Sequence, residues 1–284
     1  MSQVVYLNGS LVPLEQAKIS VMDYGFLYGY GLFETMRAYN GKVFGLDRHL
    51  TRLGRSAEVL GINVDVTLLE KAVYETVRAN GLSEARIRLI VTIGEGSVTP
   101  DPGTCARPTL VVIAVPYHAY SPEVYEKGWR VNISTIRRNS QSPLPNLKSS
   151  NFLESMLARQ ESRMAGLDDT LLLNDKGFLA EASSSNVFIV SGGVLKTPPR
   201  SSGLLPGVTR EMALELAERL SIRSAETDIA LDELMSADEV FLTNSMIEIM
   251  PVTTISGKAI STGTPGPVTR KLMQAYKELV RMSA

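Results

Sequence analysis

The sequence predicts an α+β protein of two domains, and three observations carry this expectation. The chain has 284 residues, 44% of them apolar, which is material for two ordinary domains with buried cores. Hairpin signals and helical patterns mix in the first third, while the second half alternates strands with helices. Between them, Pro116-Tyr117-His118-Ala119-Tyr120-Ser121-Pro122 interrupts both periodicities. The expected layout is a small α/β domain over 1–116, a linker over 117–124 and a larger domain over 125–284.

The elements follow in order. Apolar runs at 4–7 and 11–12 flank Asn8-Gly9, and those at 33–39 and 43–46 flank Asn40-Gly41. Asn-Gly supplies the two positive φ angles of a tight hairpin turn. Leu50, Leu53, Ala57 and Leu60 recur on one face of a helix predicted over 47–60. A second helix is predicted over 68–79, opened by a Thr67/Glu70 capping box and ended by Gly81. Strands fit 85–93 and 109–116. Beyond the break, strands fit 129–136, 170–174, 186–190, 238–242 and 247–252, and helices fit 150–165, 208–220 and 266–282. Phe152, Leu153, Met156, Leu157 and Gln160 carry the pattern of the 150–165 helix.

Composition narrows the chemistry. A net charge of −1 argues against an electrostatic grip on nucleic acid or on an anionic membrane. Two histidines and one cysteine exclude a zinc site built from His and Cys, and any internal disulfide; no metal is expected. A Ser-His-Asp or Cys-His group would have to use His49 or His118. No apolar run reaches bilayer length, and the N-terminal MSQVVYLNGS has no signal-peptide pattern, so a cytoplasmic protein is expected.

Five places could carry chemistry. Lys148 lies between a proline-rich stretch and a helix start, where a partial positive charge favours the neutral amine that attacks an aldehyde. Glu181 sits before Ser183-Ser184-Ser185-Asn186, as an acid able to pair with a cationic ring nitrogen. Pro206-Gly207-Val208-Thr209 offers backbone N–H groups and a hydroxyl at a helix N-terminus, an anion site. Arg52 lies on the 47–60 helix, and Thr243-Asn244-Ser245 forms a polar corner between apolar strands. Locally, each also fits an ordinary role: solvated lysine, exposed turn, helix cap, surface arginine, hairpin corner.

In chain order these pieces resemble the class IV aminotransferases, the fold-type IV pyridoxal phosphate enzymes. The resemblance runs from Tyr6-Leu7-Asn8-Gly9 through Tyr28–Phe33-Glu34, Arg48-His49-Leu50-Thr51-Arg52-Leu53, Lys148, the 181–188 motif, 206–210 and 248–252. It implies a larger domain with a barrel-like sheet and pyridoxal 5'-phosphate bound covalently at Lys148. It further implies Glu181 at the pyridine nitrogen, and Arg52, Val208, Thr209 and Ser245 at the phosphate. Tyr28, Phe33, Arg37, Arg88 and Asn244 match substrate-side positions. Lys148 would also serve as the proton-transferring base, and a homodimer is implied.

Three subtypes of the family compete. Branched-chain transaminases fit Tyr28, Phe33-Glu34, Arg37 and Ile87-Arg88, but tend to carry tyrosine where this chain has Arg86. They also tend to carry small residues at the 244–246 corner. D-amino acid transaminases carry an Arg-x-His pair that the 94–99 stretch lacks. Aminodeoxychorismate lyases fit Phe33-Glu34-Thr35, Arg86-Ile87-Arg88, Lys148-Ser149-Ser150-Asn151 and Thr243-Asn244-Ser245, with Thr35 as the assisting threonine. The expected activity is amino transfer between an amino acid and a 2-oxo acid; the alternative is pyruvate elimination to 4-aminobenzoate.

Overall fold

The computed structural model describes residues 3–283; Met1 and Ser2, which open the segment read above for a signal, lie outside the described residues. The chain forms two compact units. One runs to His118 and takes in Leu147–Asn151; the other holds Ala119–Asn146 and Phe152–Met282.

The first unit is built on a six-stranded antiparallel sheet. Its strands are β1 (Val4–Leu7), β2 (Ser10–Pro13), β3 (Gly31–Tyr39), β4 (Lys42–Val43), β5 (Ala85–Thr92) and β6 (Thr109–Pro116), in the order β2-β1-β6-β5-β3-β4. Both Asn-Gly turns form as predicted, with Asn8 and Asn40 at φ 47° and 50° and the following glycines at 99° and 79°. Three helices accompany the sheet: α1 (Tyr24–Tyr28), α2 (Leu46–Leu60) and α3 (Val66–Ala79). Leu32, Met36, Ala38, Ile87, Leu89 and Val91 alternate onto one sheet face. They form one core with Leu50, Leu53 and Ala57 of α2 and Leu69, Val73 and Val77 of α3.

Two sequence expectations change here, and one element is added. The strand read over 43–46 stops at Val43, because Gly45 takes a left-handed conformation and Leu46 already opens α2. The N-cap of α3 is Asp65 rather than Thr67: its carboxylate accepts from Thr67 N at 2.9 Å and Leu68 N at 3.2 Å. Asp and Thr are both good caps, and Asp65 stands two residues earlier. The short helix α1, capped by Asp23, is too brief for periodicity to reveal.

The second unit contains α4 (Pro122–Lys127), β7 (Trp129–Arg138), α5 (Leu153–Met164), β8 (Asp169–Asn174), β9 (Leu179–Ala182), β10 (Asn186–Ser191) and β11 (Val194–Thr197). It continues with α6 (Val208–Arg219), β12 (Ser224–Glu226), α7 (Leu231–Met235), β13 (Glu239–Asn244), β14 (Glu248–Ile255), β15 (Lys258–Ala259) and α8 (Pro267–Ser283). Its nine-stranded sheet is mixed, in the order β12-β11-β10-β13-β14-β7-β8-β9, with β15 on β14. The end strand β9 turns directly into mid-sheet β10, where Ala182 N donates to Ser185 O at 2.7 Å. The sheet therefore curls into a half-barrel, as the resemblance implied. Leu171, Leu179, Val187, Ile189, Leu242 and Met250 fill its core.

Helix α5 departs from its apolar pattern. Ser155, Ala158 and Ser162 are its buried positions, whereas Leu153, Met156 and Leu157 are exposed. Close packing against β7 and β8 selects small side chains, so the apolar stripe points away from that contact.

Candidate active site

The first unit holds a cluster around Lys148. The lysine lies between the proline-rich stretch and α5, as expected, on a short extended segment added to β3. Phe33 N donates to Lys148 O at 2.9 Å, Ser149 pairs with Leu32, and Ser150 N donates to Gly31 O at 2.8 Å. These backbone contacts fix the chain at and beyond Lys148. Its Nζ lies 4.7 Å from the centre of the Phe33 ring, and the Arg88 guanidinium lies 3.5 Å from the same ring. Arg88 also donates to Thr35 Oγ1 at 3.4 Å. Tyr28, the last residue of α1, donates to Val98 O at 2.9 Å.

Behind Phe33, on the helix-covered face of the sheet, lies a buried ionic triad. Arg52 donates from Nε to Glu34 Oε1 at 2.8 Å and from a terminal nitrogen to Oε2 at 2.6 Å. His49 Nδ1 lies 2.7 Å from Glu34 Oε2. Burial alone would raise the Glu34 pKa, but the Arg52 and His49 partners override it and hold the carboxyl at about 2. Burial lowers His49 below its ordinary value against the pull of Glu34, with Arg52 and Lys148 adding to the lowering. The imidazole is thus neutral at pH 7, and its Nδ1–H donates to the carboxylate. Sequence reasoning missed Glu34 and His49 as functional residues. The signal was available: Glu34 occupies an alternation position that Leu32, Met36 and Ala38 fill with apolar groups, and His49 and Arg52 are three apart on α2.

The second unit carries the other candidates. Glu181 lies in the buried strand β9, not in an exposed turn. Its Oε1 accepts from Arg138 Nε at 3.1 Å, and its Oε2 accepts from Leu205 N at 3.1 Å. Arg138 also pairs with Glu154 and donates to Ser155 Oγ at 2.7 Å. Sequence reasoning missed Arg138, whose only signal is a cation ending an otherwise strand-like run before the proline-rich stretch. Val208 and Thr209, both buried, open α6 behind Gly207, which provides no side-chain cap. A Cβ on Gly207 would stand 2.0 Å from Asn186 Oδ1, so only glycine fits. Asn186 in turn donates to Leu205 O at 2.8 Å. Asn244 ties the polar corner: it donates to Ser185 Oγ at 2.8 Å and accepts from Met246 N and Ile247 N at 2.8 and 2.9 Å. Ser245 follows on that corner, and Thr243 Oγ1 is buried without a hydrogen bond among the described residues.

Residues 31–255 match the family described as amino-transferase class IV. The chain belongs to the class IV aminotransferase family. A Methanocaldococcus jannaschii protein provisionally named a branched-chain-amino-acid aminotransferase is 42% identical over 278 residues, covering 97% of this chain and 96% of its own. The D-alanine aminotransferase of Bacillus licheniformis is 31% identical over 279 residues, covering 97% and 96%. Among solved structures, the branched-chain amino acid aminotransferase of T.th. with pyridoxamine 5'-phosphate superposes with a TM-score of 0.94 at 33% identity, covering 100% of this chain and 96% of that one. The chain is an aminotransferase, and its family works with pyridoxal phosphate.

Proposed function

We propose that this aminotransferase uses pyridoxal 5'-phosphate held covalently at Lys148 to move an amino group between an amino acid and a 2-oxo acid. The observation that carries this is the fixed placement of Lys148 on β3, beside Phe33, Arg88 and the Glu34–His49–Arg52 triad.

The residues present fit the cofactor. Gly207 leaves the first N–H groups of α6 without a side-chain cap, and Thr243 has a buried hydroxyl without a hydrogen bond among the described residues. A guanidinium, a helix N-terminus and hydroxyls suit a phosphate. Arg52, Val208, Thr209 and Ser245 would hold that group. Glu181, aligned by Arg138 and Leu205 N, would face the pyridine nitrogen and keep it protonated.

When bound, the cofactor supplies a sink for the electron pair left on the substrate's α-carbon. Lys148 Nζ, freed when the substrate's amine displaces it, would take the α-proton as general base and redeliver it to the cofactor within the same half-reaction. Tyr28, Phe33, Arg37, Arg88 and Asn244 orient the substrate, with Arg88 as a fork for a carboxylate. Thr35, hydrogen-bonded to Arg88, shares that role. Lys148→Ala is expected to abolish amino transfer and the visible absorbance of the purified protein. Retention of both would overturn the assignment of Lys148. Pyruvate released from aminodeoxychorismate without a 2-oxo acid acceptor would instead support the lyase reading through Thr35.

The proposal extends to assembly and location. Leu153 and Phe26 are 71% and 72% exposed, and Met156, Leu157, Leu27 and Tyr28 are exposed beside them in sequence. Apolar surface of this kind supports a homodimer. The units change between His118 and Ala119, which supports 117–124 as the domain junction. Among the described residues no helix is long and apolar enough to cross a membrane. We place the enzyme in the cytoplasm, without a nucleic-acid or membrane partner, which fractionation of the source cells would check.

A further inference from the structure

Helix α1 and the long connection from β5 to β6 are stitched together within the first unit. Asp23, the buried N-cap of α1, accepts from Gly25 N at 2.7 Å and from Thr92 Oγ1 at 2.9 Å. Thr92 Oγ1 in turn accepts from Gly94 N at 3.1 Å. Tyr24 N donates to Gly94 O at 2.9 Å, and Gly96 N donates to Met22 O at 3.2 Å. A Cβ on Gly96 would stand 2.6 Å from the Tyr24 ring, so the connection passes directly over that ring.

The Tyr24 hydroxyl is the hub of this connection. It lies 2.9 Å from Ser97 O, 2.6 Å from Thr99 O, and 3.4 Å from both Asp101 O and Thr104 Oγ1. It also accepts from Asp101 N at 3.2 Å. A phenol has one hydrogen to give, and Thr99 O is the nearest acceptor. Tyr24 is 1% exposed, so water does not compete for these contacts. The carbonyl just before, Val98 O, accepts from Tyr28 Oη at 2.9 Å. Tyr24 and Tyr28 are four apart on α1, and their rings meet edge to face at 4.7 Å. The two tyrosines thus hold consecutive carbonyls of one loop. Tyr28 is 42% exposed, so burial does not fix its ring; these two contacts do.

We propose that Tyr24 is a positioning residue for the substrate: its hydroxyl fixes the 97–104 loop, and through Val98 O that loop fixes Tyr28. This rests on the aminotransferase reading and on Tyr28 as a substrate-side residue. Tyr24, being buried, acts only through its neighbours.

The test compares holoenzymes of Tyr24→Phe, Tyr28→Phe and the double variant. Phenylalanine keeps the ring and its edge contact, so Tyr24→Phe removes the hydroxyl alone. The donor is L-leucine or D-alanine, whichever the wild type turns over, with 2-oxoglutarate as acceptor. Tyr24→Phe is expected to raise the donor KM about three- to tenfold, the scale of one hydrogen bond, with kcat and the visible absorbance nearly unchanged. Tyr28→Phe is expected to raise KM at least as much, and adding Tyr24→Phe to it to raise KM no further, because both act along one path. Hydrogen exchange in Tyr24→Phe should quicken over 97–104 and stay unchanged in α2 and α3. An unchanged KM in Tyr24→Phe, a matching fall in kcat and absorbance, or additive effects in the double variant would overturn the role of Tyr24 while leaving the aminotransferase reading intact. An unchanged KM in Tyr28→Phe would overturn the substrate-side reading of Tyr28, and a wild type inactive with both donors the aminotransferase reading; each would take this inference with it.

Discussion

At the scale of residues, Glu34 shows how a buried charge is kept. Its carboxylate accepts three hydrogen bonds, two from Arg52 and one from His49, in a fully buried position. A lone carboxylate there would be protonated; with these partners it stays charged down to about 2. The consequence for acid stability follows directly. Glu34 is depressed from the ordinary 4.5, so its contribution is complete above pH 4.5 and is lost as pH falls toward 2. His49 is depressed from 6.5 and acts in the same direction, because the unfolded chain gains a proton that the folded chain refuses. Urea midpoints measured from pH 7 to 3 are expected to fall toward acid, with a shallower fall in Glu34→Gln. At pH 7 that variant should lose about 3 kcal/mol, since it leaves the Arg52 charge buried without its counter-ion. It should also weaken cofactor retention, measured by dialysis, because Arg52 loses the partner that orients it.

At the scale of elements, two helices show what pattern reveals and what packing adds. The sequence of α5 marks Leu153, Met156 and Leu157 as its apolar stripe, yet Ser155, Ala158 and Ser162 face inward. Ser155 accepts from Arg138, so this face serves the Glu181 network as well as the sheet. The amphipathic rule locates a stripe but not what covers it. Helix α8 behaves in the reverse way: periodicity predicts it over 266–282 and it forms over Pro267–Ser283. Its anchor is not legible in the sequence. Glu239 of β13 accepts from Val268 N, Thr269 N and Thr269 Oγ1 at 3.0, 2.7 and 2.6 Å, capping the helix from about 30 residues away. A Cβ on Gly266 would lie 2.1 Å from Glu239 Cδ, which makes glycine necessary there. Glu239→Ala is expected to cost about 2 kcal/mol in chemical denaturation, with early hydrogen exchange confined to α8.

At the scale of the whole molecule, the exposed apolar stripe of α5 raises the question of what covers it. For the proposed homodimer, Leu153→Asp combined with Met156→Asp is expected to shift sedimentation toward monomer while leaving the helical circular dichroism unchanged. A wild-type protein that sediments as a fully active monomer would count against the dimer. The candidate residues are legible through the order and spacing of the motifs along the chain, since each motif alone also fits an ordinary role. That order singles out Lys148, Glu181, Arg52 and Gly207-Val208-Thr209 as candidates. Arg138, Glu34 and His49 escape, because a buried charge is identified by its partner, and those partners lie 15–43 residues away.

The family and the candidate lysine are legible from the order of motifs along the whole chain, and local sequence is enough for the two hairpins and most of the longer elements. These depend on backbone preferences and on spacing, which act between near neighbours. Three features come from long-range packing instead: Lys148 lies against β3, α5 turns its apolar stripe outward, and Arg86 opposes Arg37. Each of these is a matter of register or facing between segments far apart in the chain. A one-residue slip of β5 against β3 would send Arg86 and Arg88 to the other face, and nothing local to either strand forbids it. The burial of Ile87, Leu89 and Val91 beneath α2 and α3 does.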